Sequence, residues 1–314
     1  MNPITNILAI VDPTTEEHPA VQKAALLATK FKARLELYMC DTQAAREARL
    51  AAGGRQSAPS DSVYLKSVLE TLAEPLRKQG IDVTTEVGFG DPLADMLIAK
   101  TRATTAGLVV KDTHHHSLAR RTFLTNTDWE LIRGCPAPLL LTKEAPWAPS
   151  PRVVAAVDPG HANDKPALLD DRILQYAAFL AGRLGGEVHA LHAYMPMAII
   201  ISAMSSEPPG ALAVSAEELA HEQDAKRQQV AAIATRFGVE QGNIHVQTGG
   251  AMQLLPHAAR ELRADVMVMG ALSRRGLKRV FIGSTAEDVL ERLPCDALII
   301  KPPDFSEALL GLAP

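Results

Sequence analysis

Aromatic side chains are scarce in this chain: 4% of its 314 residues, against 47% that are hydrophobic. A core short of rings must be filled by Ala, Leu, Val and Ile, which suits parallel strands buried on both faces and alanine-rich helices. Cysteine is nearly absent too. Cys40, Cys135 and Cys295 are odd in number and widely spaced, with no CxxC pair. That pattern excludes a disulfide framework and makes a reducing cytoplasm the expected location. Neither sign of charge dominates: the net charge is −4 and the pI is near 6.2. Such a balance argues against general binding to nucleic acid or to an anionic membrane. No apolar run is long enough to span a bilayer, and the opening MNPITNILAIVD lacks a basic n-region, so neither a membrane span nor a secretory signal is expected. No G-x-x-x-x-G-K-[ST] occurs, which excludes a P-loop. No carboxylate pair and no Ser/His/Asp arrangement can be argued from spacing, so no catalytic residue and no metal ligand is assigned.

What is present reads twice. ILAIVDP, Ile7 to Pro13, returns as VVAAVDP, Val153 to Pro159. AGLVVK returns as DVMVMG, and CPAPLLLTK, Cys135 to Lys143, as CDALIIKPP, Cys295 to Pro303. Order and approximate spacing are both kept, so two copies of one fold are expected, spanning 1–145 and 151–314. The proline-bearing stretch Lys143 to Arg152 between them suits an extended linker.

The most informative stretch runs from Asp265 to Leu293, DVMVMGALSRRGLKRVFIGSTAEDVLERL. It opens with a short buried strand ending at Gly270. A loop with Arg274, Arg275, Lys278 and Arg279 follows, then Gly283-Ser284 and a helical pattern. Ser284 and Glu287 stand at capping-box spacing, which predicts a helix start there. A strand end, a glycine turn and a helix N-terminus together can cradle an anion through free backbone N–H groups. An ordinary capped helix after a surface loop fits these residues equally well.

Strand and helix patterns alternate through the second half. Strands are expected at Val153–Val157, Glu187–Ala193, Asn243–Thr248, Val266–Met269 and Ala297–Lys301. Helices are expected near Lys165–Leu184, Ser215–Phe237 and Met252–Arg263. Successive βαβ steps close right-handed into a parallel, doubly wound α/β sheet, one per copy, with ligands at the C-terminal strand ends. Asp158, Ala193 and Gly270 fall on that rim.

At this point the chain resembles a tandem universal stress protein, over nearly its whole length. ATP-binding members of that family show Gly-x-x-Gly, nine residues, then Gly-Ser or Gly-Thr after the fourth strand. Here Gly270 and Gly283-Ser284 match, and Ser273 stands where the second glycine is expected. The resemblance implies a Rossmann-like fold and an adenine-nucleotide site of Val157, Asp158, Ala193, Gly270, Ser273, Gly283, Ser284 and Thr285. It implies ATP as the ligand, with Mg as an optional companion. It also implies an intrachain pseudo-dimer, formed through the last strands Leu139–Thr142 and Ala297–Lys301, with a homodimer as a further option. In the first copy Lys111 replaces Gly270 and Thr125-Asn126 replaces Gly283-Ser284, so that copy is expected not to bind ATP.

Other features carry two readings each. His114, His115 and His116 invite a metal, but adjacent residues point apart, and a solvated cationic loop is the plainer reading. Cys135 and Cys295 read as small buried hydrophobes rather than redox sensors. Trp129 reads as core. Met195 to Met204 is either a buried lid or interface segment or an apolar lip for a ligand or partner. The function classes left open are a nucleotide-responsive regulatory module in the stress response, a slow ATPase, and a scaffold or carrier whose first half binds another small ligand.

Overall fold

The computed structural model describes residues 4–13, 15, 17–43, 47, 58–116, 121–160, 168–197, 199–200, 215–271, 284–302 and 305; for 58–61, 114–116, 121–123 and 284–287 the description is of the backbone. These residues form two compact units. One holds residues up to Pro146 and those from Asp296 onward, and the other holds those from Trp147 to Cys295.

The first unit runs β1 (Asn6–Val11), α1 (Pro19–Phe31), β2 (Arg34–Asp41), α2 (Ala58–Lys78), β3 (Val83–Phe89), α3 (Leu93–Ala103) and β4 (Leu108–Asp112). It continues through β5 (His114–His116), β6 (Arg121–Phe123), α4 (Asn126–Gly134) and β7 (Leu139–Thr142). Strands β3, β2, β1, β4 and β7 lie side by side in that order, all parallel. Helix α1 covers β1, β2, β4 and β7 with an alanine-rich face of Ala20, Ala24, Ala25 and Ala28. Small side chains let that helix lie close to strands filled by Leu and Val, as a ring-poor core requires.

The second unit runs β8 (Arg152–Ala156), α5 (Leu169–Leu184), β9 (Glu187–Tyr194), α6 (Ala216–Ala234), β10 (Ile244–Thr248), α7 (Ala251–Glu261), β11 (Val266–Gly270) and α8 (Ser284–Arg292). Its strands order as β10, β9, β8, β11, again all parallel. Helix α5 lies on β8, β9 and β11, α6 on β10, and α8 packs against α7. Local signals set the ends. Ser215 caps α6 in a reciprocal box with Glu218, the hydroxyl cap expected from sequence. Gly185 ends α5 at φ 69°, and Gly186 follows because a Cβ there would strike the Pro151 carbonyl oxygen at 2.0 Å. The start of this unit is tied down by Asp265, whose carboxylate accepts the backbone N–H groups of Ala148 and Arg152, each at 2.8 Å.

Strand β12 (Asp296–Ile300) closes the second sequence repeat, yet it belongs to the first unit. It runs antiparallel to β7, pairing Ala297 with Leu141, Leu298 with Leu140 and Ile299 with Leu139. These are the last strands of the two copies, which the resemblance implied would pair. The Lys23 ammonium, buried on α1, reaches Asp296 Oδ2 at 2.7 Å and the Lys143 carbonyl at 2.7 Å, and Lys143 N–H donates to Asp296 Oδ1 at 2.8 Å.

One expectation changes. His114–His116 and Arg121–Phe123 are not plain loop: β5 and β6 pair as an antiparallel ribbon, with His114 opposite Phe123. A ribbon satisfies backbone groups that a bare loop would leave to water. Of the two readings of Met195 to Met204, the described part is exposed on the single chain: Met195, Met197, Ile199 and Ile200 are between 37% and 59% exposed, which leaves the interface and lip readings standing. They form the start of a turn anchored to α6 by the Met197 N–H, which donates to Glu222. Residues 201–204 of that run lie outside the described residues. Cys135 and Cys295 are buried as expected, and Trp129 is half-buried. No helix among the described residues is long and apolar enough to cross a membrane.

Lys301, just past β12, is nearly fully buried: its ammonium donates to the Ile132 carbonyl and lies 4.4 Å from the centre of the Phe305 ring. Burial pushes its pKa down from 10.5 to about 7. The unfolded chain therefore holds a proton that the folded chain lacks between about pH 7 and 10.5, and stability should rise with pH across that window. Lys301→Met should raise the melting temperature most below pH 7, with the gain shrinking toward pH 10. Melting curves of both proteins from pH 6 to 10 check this; an advantage that is flat with pH would contradict it.

Candidate functional site

In each unit the chain winds outward from its first strand in one direction and then returns to the other side of it. The strand order therefore reverses between β1 and β4 in the first unit and between β8 and β11 in the second. Loops leaving two such neighbours diverge, and a crevice opens between their C-terminal ends, which is where ligands of open α/β sheets bind.

In the second unit this crevice is bordered by Val157 and Asp158 after β8 and by Gly270 at the end of β11, with Ala193 near the end of β9. Val157 is buried, and its N–H makes the last rung of the β8–β9 ladder, to the Leu191 carbonyl at 2.9 Å. Beyond that rung side chains take over. The Asp158 N–H donates to Asp170 Oδ1 at 3.1 Å, and His192 Nδ1 lies 3.0 Å from the Val157 carbonyl. The Asp158 side chain is 39% exposed at the rim, 3.8 Å from His192. Ala193 and Gly270 are half-buried. A Cβ on Gly270 would meet Leu169 Cδ2 at 2.8 Å and Ile173 Cδ1 at 3.2 Å. The missing side chain is thus needed for α5 to sit against β11, a demand separate from any ligand.

The structure brings together Val157, Asp158, Ala193 and Gly270 of the sequence-derived set. Ser273 and Gly283 lie outside the described residues. Ser284 and Thr285 form the first turn of α8, whose backbone alone is described; the capping box expected of Ser284 and Glu287 lies outside the described side chains. Residues missed by the sequence reading are Asp170 and His192. A strand reading EVHALHAY gives no sign that its second histidine turns toward a neighbouring carbonyl, and Asp170 looks like any acidic first-turn residue.

The corresponding crevice of the first unit carries its own charges, and the strand registers correct one equivalence expected from sequence: Asp112, not Lys111, stands in the place of Gly270. Asp112, at the end of β4, accepts the N–H of Ala20 in the first turn of α1 at 2.6 Å and the Thr142 hydroxyl at 2.7 Å. Burial raises its carboxyl pKa, and those two bonds oppose the rise. Asp128, fully buried in the first turn of α4, accepts from the Thr125 N–H at 2.8 Å and hydroxyl at 2.9 Å and pairs with Lys111 at 2.7 Å. The Lys111 ammonium also donates to the Asp112 carbonyl at 3.0 Å. Both helix starts at this crevice, where an incoming anion would bind, already hold protein carboxylates.

The model of the universal stress protein family matches the sequence twice, over residues 3–143 and 151–301. This chain belongs to the universal stress protein family. Universal stress protein E of Salmonella typhi is 27% identical over 312 residues, covering 96% of this chain and 95% of that protein. Among solved structures, the functionally unknown protein PA1789 of Pseudomonas aeruginosa matches at a TM-score of 0.76 and 28% identity, over 98% of this chain and 96% of the other. A universal stress protein from Archaeoglobus fulgidus matches at a TM-score of 0.64 over 94% of this chain, at 17% identity, and so supports the fold alone. Tandem α/β domains of the universal stress protein fold are the architecture that the sequence resemblance implied.

If Lys111 and Asp128 hold the first crevice shut, they should be energetically coupled. Asp128→Ala leaves a buried ammonium without its carboxylate and should cost about 3–5 kcal/mol, while Lys111→Met combined with Asp128→Leu should recover much of that loss. Urea unfolding of the single and double variants measures the coupling; additive losses would show that the pair does not act as one.

Proposed function

We propose that the second unit binds one adenine nucleotide per chain, ATP with or without Mg, in the crevice between β8 and β11. Binding sets a conformation or assembly state that a cytoplasmic partner reads, so the protein is a nucleotide-responsive regulatory module rather than a dedicated enzyme. The observation that carries this reading is the contrast between the two crevices. The first carries Asp112, Lys111 and Asp128, bound to one another and to the helix starts. The second has Gly270 where the strand register places Asp112 of the first, an Asp158 carboxylate exposed at its rim, and helix α8 beginning at Ser284. Family membership and the match of Gly270 and Gly283-Ser284 to the ATP-binding pattern support the same choice of unit.

Phosphate binding draws on backbone N–H groups left free at a helix start, and glycine lets the chain come close. Gly283→Val should therefore abolish ATP binding. Ser284→Ala should cost about 1 kcal/mol, the worth of one cap or phosphate hydrogen bond. Thr125→Ala should leave the affinity unchanged, since that residue serves the closed crevice. Titration calorimetry on the three variants and the wild type tests the reading. Two equivalent sites, or normal binding by Gly283→Val, would overturn it, and loss of ATP during the titration would mark the protein as an ATPase instead.

A further inference from the structure

The peptide joining Val157 to Asp158 is the first in β8 that leaves the sheet ladder, and both of its polar ends are held by side chains. Its carbonyl faces His192 Nδ1 at 3.0 Å, and its N–H donates to Asp170 Oδ1 at 3.1 Å. A carbonyl only accepts, so the imidazole proton sits on Nδ1. The ring is 2% exposed, and its other nitrogen has no hydrogen-bond partner among the described residues. The bond to Val157 is thus the one hydrogen bond by which the imidazole holds its place. Tyr194, next on the same face of β9, stacks on the ring at 5.9 Å and 10° and fixes its plane. Burial keeps the imidazole pKa below its usual value, with Asp158 and Asp170 pulling upward and Lys226 of α6 pulling downward. A neutral ring with a fixed tautomer is a directional donor.

We propose that His192 and Asp170 are positioning residues that clamp the Val157–Asp158 peptide and so aim the Asp158 carboxylate into the crevice of the second unit. The two bonds fix the orientation of the peptide plane; losing either frees φ of Asp158, and with it the direction of its Cα–Cβ bond at the rim. Asp170 stands in the first turn of α5 and His192 on β9, so the clamp ties the rim to the two elements packed on or beside β8. The functional half of this inference rests on nucleotide binding at this site; the geometric half does not.

The test compares His192→Phe, which removes the donor, with His192→Asn, whose amide nitrogen can replace Nδ1. Asp170→Ala and Asp170→Asn do the same on the other side, at a less buried position that keeps the fold intact if the phenyl ring disturbs it. Two quantities are read: ATP affinity, and hydrogen exchange of the Asp158 amide by NMR. His192→Phe and Asp170→Ala should each weaken ATP binding about tenfold, as expected for a lost hydrogen bond in a buried setting, and speed that one amide's exchange by a similar factor. The two Asn variants should recover most of both. Wild-type exchange at Asp158 in His192→Phe and Asp170→Ala would overturn the clamp. If the wild-type protein binds no ATP, the nucleotide reading fails, and the exchange measurement alone decides the clamp. Altered exchange with unaltered ATP affinity would overturn the aiming role.

Discussion

A helix start leaves backbone N–H groups that need an acceptor, and in this protein the strand-order reversal turns such starts toward one crevice per unit. Most of what distinguishes the two units follows from how that demand is met. In the first, the acceptors are covalently part of the chain: Asp112 for α1 and Asp128 for α4. Once Asp128 is buried its carboxylate needs a counter-charge, and Lys111 supplies it. In the second unit Gly270 stands where the register places Asp112 of the first, and the space its missing side chain leaves is taken by Leu169 and Ile173 of α5.

The aliphatic composition sets the packing beneath both crevices. With few rings to bridge layers, helices have to approach the sheets closely. Alanine on α1 and α5, and glycine at Gly270, are the means. The same closeness makes polar groups trapped beneath the helices expensive, which is why the buried lysines reach specific acceptors: Lys23 to Asp296, Lys111 to Asp128 and Lys301 to the Ile132 carbonyl.

The strands and helices were legible because their patterns are strong: VVAAV and VMVMG are apolar runs bounded by Asp and Gly, and helix ends such as Ser215 and Gly185 carry their own signals. Asp158 and Gly270 were legible for the same reason, as residues at strand ends. His192, Asp170 and the Lys111–Asp128 pair were not. Each depends on which strand lies beside which, and periodicity along one strand carries no information about its neighbour. The β5–β6 ribbon was missed because three adjacent histidines and a run of cations resemble a loop in composition, while pairing depends on backbone register. Whether Met197 and Ile199 are covered was open from sequence, because hydropathy speaks of the cost of exposure rather than of whether cover exists.

The last strand has a temporal consequence. Lys23 and its carboxylate on Asp296 are separated by 273 positions in the chain. A ribosome releases the chain from the N-terminus, so the first unit can fold its five parallel strands long before β12 exists. Until then β7 offers an open edge, and Lys23 lacks its Asp296 partner. Completion of the first unit waits on residues made after the whole of the second. Synthesis of β12 and the closing of that edge are thereby coupled, and a chain stopped short of Asp296 carries its own mark of being unfinished.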